Sequence, residues 1–331
     1  MRRKGFIMTK MVTNNRTNIL RDWIIYFIIV FGVLPFPIIT HAQIKRCPIC
    51  KKSVSNCKYK GKHLKCNVCG NLIDECIFKG NHPQKETTIP IVKERTLKEI
   101  IDVIEKDMIY VEGGTFMMGA QTEDVNAASY EKPAHQVIVS SFYISKCEVT
   151  QEIYKIIIGN NPDNIQSRNF AVGNVSWNDC QAFILKLNSL TGKTYRLPTE
   201  AEWEFAARGG NLSKGYIYSG SNNPEDVAVT YNANRGIYKE IMSKNPNELG
   251  TYDMSGNVEE WCSDWYGPYT SEIQTNPYGP ATGDYKITRG GSFAKTTEGG
   301  KYKDSYRVTN RSILIPSGHR PTVGFRLVRN P

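Results

Sequence analysis

The sequence beyond residue 107 lacks the excess of basic side chains that a formal net charge of +10 suggests. Residues 1–107 carry 20 Lys and Arg against 9 Asp and Glu, whereas residues 108–331 carry 22 against 23. A protein that binds a nucleic-acid duplex gathers basic side chains on the surface that meets the phosphates. The near neutrality of the larger part therefore argues against nucleic-acid binding.

The apolar run near the N-terminus lacks a cysteine at its end, which argues against a lipoprotein. Basic residues precede this run, residues 23–39, and Thr40 and Ala42 before Gln43 fit a signal-peptidase site. We predict a signal peptide over residues 1–42; the alternative is an uncleaved membrane anchor, although 17 apolar residues are at the lower limit for spanning a bilayer. In both cases the positive flank stays inside, so the remainder is expected to be periplasmic, in the cell envelope or secreted.

Two copies of a cysteine-histidine unit, 19 residues apart, occupy residues 43–85. Each copy supplies a CxxC pair, a third Cys and a His, and tetrahedral Zn²⁺ accepts three thiolates and one imidazole. We predict a small module, similar to a zinc ribbon or knuckle, with two structural zinc ions. Three disulfides are the alternative in an oxidising compartment, although they would not require the repeated His, and another metal or a redox role is the third. The predicted ligands are Cys47, Cys50, Cys57 and His63, and then Cys66, Cys69, Cys76 and His82.

Residues 86–107 are expected to form a linker that ends in a short amphipathic helix, with residues 108–331 as the large domain. Short apolar runs in the large domain predict four strands that pair as two consecutive hairpins. These strands are residues 109–111 with 116–118 and residues 137–139 with 142–144.

Capping residues predict three helices in the large domain, beginning after Thr150, Ser176 and Thr199. Gly159 is expected to end the first of them. The second is expected to bury Phe183, Leu187 and Leu190, and the third Trp203, Ala206 and Ala207.

Seven short motifs follow one another through the large domain. They are Val111–Gly119, Glu148–Thr150, Val175–Trp177, Arg196–Arg208, Gly250–Trp261, Arg289–Phe293 and Gly324–Arg326. In this order they resemble the formylglycine-generating-enzyme family, also called the sulfatase-modifying-factor family. The resemblance implies an irregular α+β fold that is distantly akin to the C-type lectin fold.

In the enzymes of this family, a copper-binding cysteine pair oxidises a cysteine of a sulfatase to formylglycine. The resemblance places that pair at Lys295 and about Gly300, neither of which offers the thiolate that Cu(I) prefers. The other cysteines of the domain, Cys147, Cys180 and Cys262, lie elsewhere in the motif order and are expected to be buried apolar side chains. The resemblance thus argues against copper and against oxidase activity.

The resemblance also implies a calcium site in the turn before the tryptophan motif. Asp253 and Glu260 would contribute side-chain oxygens, and Gly256 and Val258 would contribute backbone carbonyls. Oxygen donors suit a hard cation such as Ca²⁺. The alternative is that Asp253 only stabilises a turn.

Five side chains are expected to line the groove that receives peptide in the enzymes of the family; for Ser292 and Arg307 the alternative is that they hold the C-terminal loops by hydrogen bonds to backbone carbonyls. They are Arg289, Ser292, Phe293, Arg307 and Arg311. Without copper ligands, the exported chain is expected to be a non-catalytic binding or scaffold component whose partner is an envelope protein, a peptide or a glycan. The alternatives are a formylglycine-generating oxidoreductase and an enzyme of unrelated chemistry in the same groove.

Replacing His63 and His82 with Ala should lower the metal content of the purified mature chain from about two zinc ions, because each replacement removes one of four ligands. Elemental analysis measures this content. Three disulfides and no zinc, found by mass spectrometry without reductant, would establish the disulfide alternative instead.

Overall fold

The computed structural model describes residues 95–121, 126–163, 167–230, 239–294 and 302–331. The predicted signal, all eight predicted zinc ligands, Lys295 and Gly300 lie outside these residues, so what is predicted for them stays a prediction. Within the described ranges, no helix is long and apolar enough to cross a bilayer.

Short helices and short strands alternate along the described part of the chain, which confirms the α+β class. The helices are α1 (Leu97–Lys106), α2 (Gln151–Ile158), α3 (Trp177–Thr191), α4 (Glu200–Ala207) and α5 (Pro224–Val227), with 3-10 turns at Ser129–Glu131, Gly210–Leu212 and Tyr302–Tyr306. The strands are β1 (Met108–Val111), β2 (Gly114–Met118), β3 (His135–Val139), β4 (Phe142–Ser145), β5 (Tyr195–Arg196), β6 (Glu259–Trp265), β7 (Gln274–Thr275), β8 (Lys286–Arg289), β9 (Arg311–Leu314), β10 (Val323–Gly324) and β11 (Val328–Arg329).

The strands assemble into small sheets with the orders β1-β4-β11-β5, β10-β6-β8-β9 and β2-β3-β7. The four predicted strands at the start of the domain are present, but their predicted pairing is wrong. Strand β1 pairs antiparallel with β4, and β2 pairs antiparallel with β3. The chain leaves the first sheet at Gly113, where a Cβ atom would lie 2.5 Å from the Val139 carbonyl oxygen. The β2-β3 pair thus lies between β1 and β4 in the sequence. Only glycine permits the close backbone approach at Gly113, because any side chain would collide with the Val139 carbonyl.

All three predicted helix starts are confirmed. The Thr150 hydroxyl accepts a hydrogen bond from the Ile153 amide, and Ser176 and Thr199 each form a reciprocal capping box. Gly159 ends α2 in the left-handed region at φ 107°. These caps satisfy backbone groups that a helix end would otherwise leave unpaired.

The first hydrophobic core forms where α1, α2 and α3 pack together. The Phe183 ring stacks on Tyr154 with centroids 5.5 Å apart and meets Phe325 edge-on at 5.2 Å. Ile100 and Ile104 of α1 belong to this core, so α1 packs with the residues that follow it. A second core lies where α4 packs against β2, β3 and β6.

The prediction that Leu190 faces inward with Phe183 and Leu187 is wrong. Leu190 lies in the last turn of α3 and is 40% exposed, whereas Leu187 is fully buried. Gly192 ends the helix about one turn after Leu187, and this last turn lies at the edge of the core.

Replacing Leu187 with Ala should lower the free energy of unfolding by roughly 2–5 kcal/mol, since it leaves a cavity in the core. The matched replacement of Leu190 should cost less than about 1 kcal/mol, because that side chain remains partly in water. Urea unfolding followed by circular dichroism measures both values. Equal losses would contradict the observed orientation of α3.

Candidate functional site

Helix α4 carries the tryptophan-centred part of the family-like motif, and it is buried along its whole length. Its glutamates are therefore inside the protein. Glu202 forms the capping box with Thr199 and a two-pronged pair with Arg196, at 2.6 and 2.7 Å. Glu200 and Glu204, on the other side of the helix, receive arginines from distant strands.

Two of the five predicted groove residues pair with α4. The Arg289 guanidinium donates to the Glu204 carboxylate, and both side chains are fully buried. The Arg311 guanidinium donates two hydrogen bonds to the Glu200 carboxylate, from Nε at 2.7 Å and from Nη2 at 2.8 Å. Burial by itself raises the pKa of Glu204, but Arg208 and Arg289 outweigh it and hold that pKa below its usual value. The Glu204 carboxylate therefore stays charged, and the pairs of α4 with Arg289 and Arg311 anchor β8 and β9.

Arg307 makes a similar buried pair outside α4. Its guanidinium donates to both Glu131 oxygens, at 2.8 and 2.7 Å, and to the Thr309 hydroxyl at 2.7 Å. The Thr309 hydroxyl in turn donates to Glu131. This network holds the 3-10 turn Ser129–Glu131 against the C-terminal part of the chain.

The five predicted groove residues are thus all buried, including Ser292 and Phe293. Besides its carboxylate, each of the three guanidiniums also donates to backbone carbonyl oxygens, those of Asn310, of Asn126, and of Tyr130 and Gly267. A peptide groove beside Ser292 stays a prediction, because residues 295–301, which follow it along the chain, lie outside the described residues.

The predicted calcium turn brings Asp253, Gly256 and Val258 into the buried interior. Asp253 adopts a left-handed backbone at φ 59°, and its Oδ2 accepts a hydrogen bond of 2.7 Å from the Met242 amide. Its Oδ1 is buried without a hydrogen-bond partner, as are Glu148 Oε2 and Asn257 Oδ1. Burial raises the pKa of Asp253 to about 6.

Glu260, the fourth predicted calcium ligand, already has a cationic partner. Arg326 donates to both of its oxygens at 2.5 Å, and the Trp203 indole donates to Oε2 at 2.7 Å. The pair is fully buried. The guanidinium therefore occupies the carboxylate that the family resemblance assigns to the metal.

The described residues fit a calcium ion only in part. The unpartnered Asp253 Oδ1 is a suitable oxygen donor, whereas both Glu260 oxygens already accept hydrogen bonds from Arg326. Among the described residues, no group of three or more His, Cys, Asp or Glu is arranged to hold a metal ion. The predicted site also uses two backbone carbonyls, so calcium at this turn stays a prediction.

The three cysteines of the domain are free, buried and far apart in the chain. Burial raises the pKa of Cys147, Cys180 and Cys262 well above the usual thiol value. This confirms their predicted role as buried side chains and makes them poor sources of thiolate.

Residues 97–331 match the sulfatase-modifying factor enzyme 1-like domain, from the first helix to the last residue. The chain belongs to this family. Chaperone protein LppX of Paenibacillus barcinonensis is 31% identical over 278 residues, which cover 69% of this chain and 90% of that protein. The formylglycine-generating enzyme of Streptomyces coelicolor is 36% identical over 173 residues, 48% of this chain and 52% of that enzyme.

A solved structure confirms that the sulfatase-modifying-factor resemblance extends to the fold. Treponema denticola variable protein 1 superposes with a TM-score of 0.61 at 28% identity, covering 68% of this chain and 95% of that chain. The predicted C-type-lectin-like α+β fold is therefore confirmed.

Sequence reasoning missed the carboxylates that bind the arginines, above all Glu200 and Glu204. A signal was available, because Glu recurs at every second residue of α4 between small and aromatic residues. Successive residues of a helix are rotated by 100°, so carboxylates at three alternate positions point in widely different directions. They cannot all face water while Trp203 and Ala206 face inward. Buried partners were therefore required, although the sequence does not say which.

Replacing Glu260 with Ala should lower the free energy of unfolding by roughly 3–5 kcal/mol, because it leaves Arg326 buried without a counterion. The loss should persist in a calcium chelator. The matched replacement of the neighbouring Glu259, which accepts a hydrogen bond from the Thr288 hydroxyl, should cost less. Chemical unfolding with and without chelator measures these losses. A loss that vanishes in chelator would instead make Glu260 a calcium ligand.

Proposed function

We propose that this chain is a non-catalytic binding or scaffold member of the sulfatase-modifying-factor family, exported to the cell envelope. One observation carries the proposal. Copper oxidation by this family needs two thiolates that share one Cu(I), and neither the positions of the family pair nor the described fold supplies them. The alternative, a formylglycine-generating oxidoreductase, requires such a pair.

The chain has no cysteine after Cys262, so the segment that follows Ser292 contains none. Of the cysteines within the described domain, Cys147 lies near β4, Cys180 in α3 and Cys262 in β6. Each belongs to a buried part of the fold, and none forms a disulfide or pairs with another. Bringing two of them together would require the core to come apart.

One further observation supports a binding role. LppX, which matches over most of its length, is named a chaperone protein rather than an oxidase. The predicted signal before Gln43 supports export, and the predicted Cys/His module supports a structural or adhesive contribution. An envelope protein, a peptide or a glycan remains the proposed partner.

The experiment that tests the proposal is incubation of the purified mature chain with a sulfatase-type cysteine peptide, with and without added copper. We expect no conversion of the cysteine to formylglycine, because the large domain has no cysteine at the positions of the family's copper-binding pair. Mass spectrometry of the peptide detects the conversion.

The formylglycine-generating enzyme of Streptomyces coelicolor, assayed in parallel, serves as the positive control. Copper-dependent conversion by this chain would overturn the proposal. Separate replacement of Cys147, Cys180 and Cys262 with Ser would then identify the thiols involved.

A further inference from the structure

A cavity of about 480 Å³ opens beside the N-terminus of α4. It is of the size that holds a small molecule. Its polar lining includes Glu200, Asp264 and Arg311, and its walls include the aromatic side chains of Trp265, Tyr269 and Tyr278. Arg311 is the one member of the predicted groove set that lines it.

Most charges in this cavity are already compensated. Glu200 holds Arg311 in a two-pronged pair, and the Tyr269 hydroxyl donates to Glu200 at 3.2 Å. The remaining Arg311 donors reach the carbonyls of Tyr130 and Gly267. An anion entering the cavity would therefore find Arg311 already paired with Glu200 and two backbone carbonyls.

Asp264 differs, because it is a buried carboxyl without a counterion. It is 4% exposed, and its Oδ2 accepts hydrogen bonds from the Glu200 amide at 3.0 Å and the Ser263 hydroxyl at 2.9 Å. Among the described residues, no hydrogen bond reaches Oδ1 and no cation lies within ion-pair distance of Asp264.

The nearest basic side chains are committed elsewhere. Lys286 donates to the Ser263 carbonyl oxygen at 2.7 Å, and its ammonium lies 3.8 Å from the Trp265 ring centre and 4.3 Å from that of Trp177. Arg196 pairs with Glu202. Burial first, and then the charge of Glu200, raise the pKa of Asp264 to about 7, although the two hydrogen bonds to Oδ2 oppose the rise.

We propose that this cavity is a binding site for a primary ammonium group, with Asp264 Oδ1 as its acceptor and the surrounding aromatic rings as its walls. A desolvated carboxylate attracts a cation, and the Tyr278 ring in the cavity wall can face it, whereas Trp265 and Tyr269 already face Lys286 and Arg311. The single free oxygen suits the point charge of an ammonium better than the two-pronged fork of a guanidinium. The site goes beyond the non-catalytic role, because it involves neither the cysteines nor the segment after Ser292.

The ammonium group could belong to a free amine or to a lysine side chain of a peptide, and the same experiment separates these sources. Isothermal titration of the full mature chain uses 1,5-diaminopentane, an N-acetyl-lysine amide and 1,5-pentanediol. Binding of both amines and not of the diol is expected. Binding of the lysine amide alone would assign the site to peptides. Equal binding of the diol, or no binding of either amine, would overturn the proposal.

Protonation provides a second readout. An ammonium ligand binds the ionised form of Asp264, so affinity should rise about tenfold from pH 6 to pH 8, with release of about half a proton near pH 7. Titrations in two buffers with different ionisation enthalpies measure that release. Affinity that does not change with pH would contradict the role of Asp264.

Asp264→Asn should abolish amine binding while preserving the two hydrogen bonds that Oδ2 accepts. The matched control is Asp284→Asn, which changes an exposed carboxylate on the segment between β7 and β8 and should leave binding unchanged. If Asp264→Asn does not fold, Tyr278→Leu keeps the test decisive. Tyr278 is 62% exposed, and loss of its ring should weaken amine binding about two- to fivefold. Wild-type affinity in both Asp264→Asn and Tyr278→Leu would overturn the proposal.

The same carboxyl affects stability in the absence of an amine. Because the folded pKa of Asp264 lies above its unfolded value, the fold holds this proton more tightly, and stability falls as pH rises through about 7. Asp264→Asn should remove that fall, whereas Asp284→Asn should not. Melting temperatures between pH 5 and pH 8.5 show the difference. An identical pH dependence in wild type and Asp264→Asn would contradict the buried, unpaired state of this carboxyl.

Discussion

Buried pairs of arginine and glutamate hold the C-terminal part of this fold in place. Arg289, Arg307, Arg311 and Arg326 bind Glu204, Glu131, Glu200 and Glu260, and each pair is almost completely shielded from water. Such a pair adds little net stability compared with apolar packing, but removal of one partner leaves a buried charge and is costly. The pairs therefore determine how the irregular segments fold more than how stable they are.

These pairs explain why a domain with so few long helices and strands has a defined interior. Strands β8, β9 and β10 are short, and the segments between them have little regular structure. Arg289 and Arg311, on β8 and β9, bind α4; Arg307, between these strands, binds the turn before β3; and Arg326, after β10, binds β6. Helix α4 can accept them because it is buried on all sides and carries Glu200 and Glu204 one turn apart.

The same arrangement distinguishes structural from functional charges in the domain. Most charged side chains of the family motifs form ion pairs inside the protein, and this is why the arginines of the predicted groove are buried. Asp264 is buried to a similar degree but has no cationic partner among the described residues. A carboxyl that the fold leaves uncompensated at a cavity is a better candidate for ligand binding than one that already holds an arginine.

Local interactions could be predicted from the sequence alone. The starts of α2, α3 and α4 depend on hydrogen bonds between residues three apart, and the motif order was sufficient to assign the family and its α+β fold. Strand pairing and arginine partners could not be predicted, because they join residues that are distant in the sequence. The Gly113 Cα lies close to the Val139 carbonyl oxygen, and Arg326 donates to the Glu260 carboxylate. Tertiary packing decided these contacts, since only the folded chain brings each buried charge beside its partners.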